Sequence, residues 1–81
     1  MNRKRCYVLT YNCYSGDNGV SVYWDEHDAW KAMIEELEIE ITNLQNSGYE
    51  FRSAENDVSA ELYVPNNDIY YEWYIEETYI Q

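Results

Sequence analysis

An 81-residue chain with 16 acidic residues, five basic ones and a net charge of −11 is nevertheless 46% hydrophobic and carries ten tyrosines. That content of aromatic and branched aliphatic side chains excludes an acidic disordered tail, and the length fits one domain spanning residues 1–81. The charge argues against direct binding of nucleic acid or an anionic membrane, because phosphates call for Lys and Arg, and self-repulsion predicts stability that rises with added salt.

The basic residues gather at one end as Arg3, Lys4 and Arg5, leaving Lys31 and Arg52 in the rest of the chain. From Cys6 to Tyr14 the segment CYVLTYNCY reads as a strand that stops at the turn cluster Ser15-Gly16-Asp17-Asn18-Gly19. VSVYW, Val20 to Trp24, alternates apolar and polar residues and completes a hairpin. Within one extended strand Cys6 and Cys13 would lie roughly 23 Å apart and on opposite faces, which excludes a disulfide between them. Free thiols fit a reducing compartment. Met1 to Arg5 leads into a polar strand, and no apolar run reaches the ~18 residues of a membrane span. The expectation is a soluble, cytoplasmic protein.

Asp25 then precedes a helical pattern as a natural N-cap, with Glu26 and Asp28 in the first turn. Trp30, Met33, Ile34, Leu37, Ile41 and Leu44 recur at three- and four-residue spacings and predict a helix from about Glu26 to Asn46, with Gly48 as the left-handed residue that ends it. Strand chemistry resumes over Tyr49–Ala54, Val58–Val64 and Ile69–Tyr79, separated by turn-like segments. The order ββαβββ gives an α+β fold, a small mostly antiparallel sheet with one helix packed on one face.

Period-two alternation assigns Val20, Val22, Trp24, Val58, Ala60, Leu62, Val64, Ile69, Tyr71, Trp73 and Ile75 to the face beneath the helix. The opposite face then carries Ser21, Tyr23, Ser59, Glu61, Tyr63, Tyr70, Glu72, Tyr74 and Glu76. Tyrosine offers a stiff contact area and a water-tolerant phenol, and Glu offers charge for Arg and Lys, so the face suits a basic protein surface through ion pairs and cation–π contacts. Strand propensity and solubility account for the same residues without a partner.

A second candidate is the helix, where Glu35, Glu36, Glu38 and Glu40 flank the outward surface with Asp28 at its start. Carboxylates three or four residues apart stand about 5 to 6 Å from one another and can imitate a phosphate track. Only Lys31 could offset them, through Glu35. Ile39 points away from the apolar stripe among these glutamates and could anchor in a partner's pocket. His27, the one histidine, stands beside acidic residues that capping explains, and no matching ligand set accompanies it, so neither a metal nor any other cofactor is expected. No spacing of Cys, His or carboxylate supports catalysis, and the chain is read as a non-enzyme.

The acidic ββαβββ pattern and the segment EELEIE, Glu35 to Glu40, resemble in general character the small phage and mobile-element inhibitors of bacterial defence, among them anti-CRISPR and anti-restriction DNA mimics. The resemblance implies a partner-binding inhibitor that occupies the basic nucleic-acid channel of an RNA-guided nuclease or restriction enzyme in the bacterial cytoplasm. It transfers no individual functional residue. The alternative is an interaction or dimerisation module, a homodimer formed through the Tyr-rich sheet face or an exposed terminal strand.

Overall fold

The computed structural model describes residues 4–65 and 67–80. Strands β1 (Lys4–Cys13) and β2 (Asn18–Tyr23) form the first hairpin, helix α1 runs Glu26–Asn46, and β3 (Arg52–Glu55), β4 (Ser59–Val64) and β5 (Ile69–Ile80) follow. All neighbours in the five-stranded sheet are antiparallel, in the order β2-β1-β5-β4-β3. The α+β architecture and the ββαβββ order expected from the sequence are those observed.

Local chemistry explains the helix limits. Asp25 is extended, and its carboxylate accepts the His27 backbone N–H at 2.8 Å, while Glu26 and Asp28 meet the positive end of the helix dipole. At the other end the Tyr49 N–H returns to the Leu44 carbonyl and the Gly48 N–H to Gln45, with Gly48 at φ +79°, where glycine carries no Cβ penalty. This closure draws Tyr49 into the helix stop, so the third strand starts at Arg52 rather than at Tyr49. Between β3 and β4, Asn56 Oδ1 accepts the N–H groups of Val58 and Ser59, at 2.9 and 2.8 Å. The Asn56 N–H in turn donates to the Ser59 carbonyl at 2.9 Å, so an Asx turn and a backbone bond together reverse the chain.

The core lies between α1 and one sheet face. Ala29, Met33, Leu37 and Leu44 of the helix pack with Leu9, Ala60, Leu62, Val64, Trp73 and Ile75. Burying a Leu- or Met-sized side chain contributes about 1.5–3 kcal/mol, so this cluster supplies most of the driving force in so small a domain. Cys6 and Cys13 are both buried and both free.

Strand β2 departs from the sequence-based face assignment. Val20, Val22 and Trp24 do not lie under the helix; they are 67%, 55% and 63% exposed, and Tyr23 packs against the core instead. The hairpin register sets the phase. Cys13 N–H bonds to the Asp17 carbonyl at 2.9 Å, and the resulting ladder pairs Leu9 with Ser21 and Val8 with Val22. Leu9 is committed to the core, so Ser21 shares its side and the valines take the other. The terminal strand is also not an exposed edge along its length, because β5 lies between β1 and β4 in the middle of the sheet.

Candidate functional site

On the sheet face turned away from α1, strand register sorts the side chains into rows. Arg52, Tyr63 and Tyr70 are successive cross-strand neighbours; Ala54, Glu61, Glu72, Asn12 and Asn18 form the next row; Ser59, Tyr74, Thr10 and Val20 the next; Glu76, Val8 and Val22 another. The face therefore divides in two. Its β3-β4-β5 half holds tyrosine and glutamate, and its β1-β2 half holds valine, threonine and asparagine.

Glu61, Tyr63, Tyr70, Glu72, Tyr74 and Glu76 are all exposed on this open face, as the alternation implied. The register adds what alternation alone lacks. Glu61 and Glu72 are direct cross-strand partners, which brings their Cβ atoms to about 5 Å, and Tyr63 and Tyr70 are partners in the adjoining row. Arg52, Glu61, Tyr63, Tyr70 and Glu72 line a shallow depression of about 520 Å³. Glu76 stands four residues along β5 from Glu72, about 13 Å away. The one salt bridge among the described residues is Arg5 Nε to Glu77 Oε1 at 2.6 Å, so these three carboxylates carry no ion pair.

The helix carboxylates are not a single outward row. Glu35 and Glu38 are exposed and border a groove with Ile39, Thr42 and Asn43, while Asp28 is exposed near the helix start. Glu36 and Glu40, expected on the outward surface, are half-buried and turn toward the sheet. There Trp73 Nε1–H donates to Glu36 Oε1 at 3.4 Å, and Glu36, Ile39 and Glu40 line a cleft of about 160 Å³ with Tyr11 and Trp73. Ile39 is 59% exposed at the rim shared by groove and cleft.

An aromatic stack lies beside that cleft and was not foreseen. Tyr11 and Trp73 have ring centroids 5.3 Å apart, Tyr71 stacks on Trp73 at 6.2 Å, and Tyr14 meets Tyr71 edge-on at 5.9 Å. Burial, and then the nearby Glu40 charge, push the Tyr71 phenol up to about 12. Tyr11 is also raised, by burial first and then by its hydrogen bond with Cys13. Both phenols therefore stay neutral through the physiological range. The signal for this stack was the pairing of Tyr11 with Trp73 and of Cys13 with Tyr71, which requires the order of the strands.

The helix row and the Tyr–Glu face lie on opposite sides of the two-layer fold, so one flat partner surface meets one or the other. His27 stacks against Trp30 at 5.8 Å. Among the described residues there is no group of three or more His, Cys, Asp or Glu placed to hold a metal ion, and no helix long and apolar enough to cross a membrane. Comparison with family models, curated proteins and solved structures returned no match.

Proposed function

We propose that the protein is a non-enzymatic inhibitor whose Tyr–Glu sheet face occupies a basic, nucleic-acid-binding surface of a defence nuclease, of the RNA-guided or restriction type. The observation that carries this reading is the Glu61–Glu72 pair. Like charges directly opposite in a sheet destabilise it, by a few tenths to about 1 kcal/mol, and neither carboxylate has an ion-pair partner among the described residues. An external cation relieves that repulsion. Tyr63, Tyr70 and Tyr74 beside the pair supply faces on which guanidinium groups stack.

The mechanism is competition. Channels that grip a DNA duplex or a guide–target heteroduplex do so with Arg and Lys, and carboxylates on a stiff sheet capture those groups while the domain blocks entry. Electrostatic steering makes association fast and salt-sensitive. Glu76 extends the negative strip along β5, and the helix residues Asp28, Glu35 and Ile39 remain a separate surface on the other side.

Displacement of a fluorescent duplex from a panel of RNA-guided and restriction nucleases tests the reading. Titrating in the protein releases the duplex from its target, and raising salt slows its association. The Glu61→Lys/Glu72→Lys double variant needs at least ~10-fold more protein. A panel in which no enzyme yields its duplex overturns the proposal.

A further inference from the structure

We infer that β2 is the seat of a homodimer, in which the β2 strands of two copies pair antiparallel about a two-fold axis and join two five-stranded sheets into one. This inference does not rest on the inhibitory reading. The sheet's free edges differ in charge.

Strand β3 closes one side of the sheet and is short, with Arg52 and Glu55 at its ends. The end of β5 runs past β4, pairs only with β1, and carries Glu76 and Glu77. The start of β1 runs past β2 and carries Lys4 and Arg5. Each of these free stretches has the charges that block strand-to-strand association. Strand β2, Asn18 to Tyr23, has none, and no proline or bulge, although the rest of the chain is strongly acidic.

Its unused backbone groups can be identified. The bond from Cys13 N–H to the Asp17 carbonyl fixes the alternation of the hairpin ladder, so Gly19, Ser21 and Tyr23 bond to β1 while Val20 and Val22 point their N–H and C=O groups outward. An axis at Ser21 sets Val20 opposite the second copy's Val22. Four backbone hydrogen bonds then form between these residues, and four valines gather on the open face.

Charge favours a second copy over a basic partner. Lys4 Nζ lies 5.9 Å from the Trp24 ring at one end of β2, and Asp17 precedes the other end. Antiparallel pairing carries Lys4 toward the second copy's Asp17. Asp25, at the Lys4 end, is already engaged as the helix cap. An uncharged strand offers a basic surface no ion pair, whereas two chains of charge −11 meet with least repulsion along the free sheet edge that carries no charge, their acidic halves outermost. A six-residue strand pair buries less than the ~1,600 Å² of a standard interface, so the dimer belongs to the weak, concentration-dependent class of associations.

Sedimentation velocity over a dilution series tests this directly. The expected mass moves from the 9.8 kDa monomer to twice that value with concentration. The dimer tightens as salt rises, because screening reduces the repulsion between acidic bodies. Val22→Lys and Val22→Glu each raise the dissociation constant at least ~10-fold with an unchanged circular dichroism spectrum, whereas Ala54→Lys on β3 leaves it as it is. A chain monomeric at every concentration, a dimer indifferent to both Val22 variants, or one that dissolves as salt is raised, overturns the inference.

Discussion

Trp73 Nε1–H donates to Glu36 Oε1 across 3.4 Å, a side-chain hydrogen bond that joins the central strand β5 to helix α1. Trp73 is 1% exposed, so its indole N–H has no ready access to water if the carboxylate is removed. One of the most acidic segments of the chain thus contributes a half-buried residue to the seam between helix and sheet rather than to the outward surface.

Glu36→Ala is accordingly expected to lower stability by about 1–2 kcal/mol in urea unfolding, since a buried donor loses its acceptor. Glu36→Gln keeps an acceptor oxygen and is expected to recover most of that loss. Equal stability of the Ala and Gln variants would show that this hydrogen bond contributes nothing.

Glu61→Lys is expected to separate stability from binding. Replacing one of two like charges that face each other across β4 and β5 creates an opposite-charge pair, worth about 0.2–1 kcal/mol relative to neutral neighbours. The thermal midpoint at low salt rises while duplex displacement weakens. A fall in both quantities would place Glu61 in the fold rather than at a binding surface.

Alkaline pH is expected to unfold the domain through its stacked tyrosines. A Tyr71 phenol raised in the folded state from 10.0 to about 12 leaves stability untouched below pH 10. Above that the unfolded chain releases its proton first, and stability falls until the folded phenol titrates near 12. Urea unfolding at stepped pH should show this loss, and Tyr71→Phe should flatten it. A pH slope identical in the Phe variant would remove Tyr71 as its source.

Much of the fold was legible in the sequence because strong local signals agreed. The Asp25 cap, the apolar stripe from Trp30 to Leu44 and Gly48 place α1 at Glu26–Asn46, as observed. From Ala60 to Val64 on β4 and from Ile69 to Ile75 on β5 every second residue is apolar or aromatic, so Leu62 and Trp73 could point only inward. Strand β2 failed because its two phases compete. Valines at positions 20 and 22 favour burial, but the turn at Asp17 binds Ser21 to Leu9's side, and a backbone ladder outweighs two side chains on an edge strand. Glu36 and Glu40 were misplaced for a related reason. They border the apolar stripe, and whether such residues face water or a neighbouring aromatic depends on where the sheet lies beneath the helix. The Glu61–Glu72 and Tyr63–Tyr70 pairs follow from the β4–β5 hairpin register once Val64 and Ile69 are its innermost pair, whereas the Tyr11–Trp73 pair depends on strand order, which no local pattern encodes.

The middle of the sheet is made by β1 and β5, which pair from Lys4 with Ile80 to Cys13 with Tyr71 and are the first and last described elements. During synthesis the β1–β2 hairpin and α1 leave the ribosome well before the strand that joins them to β3 and β4. The nascent chain must then leave the part of the core that Trp73 and Ile75 fill, between Leu9 and Leu62, open until β5 arrives. Closure across so long a sequence separation slows folding. Loss of β5 leaves two unconnected hairpins with half a core each, so the chain is expected to fold late and as a whole.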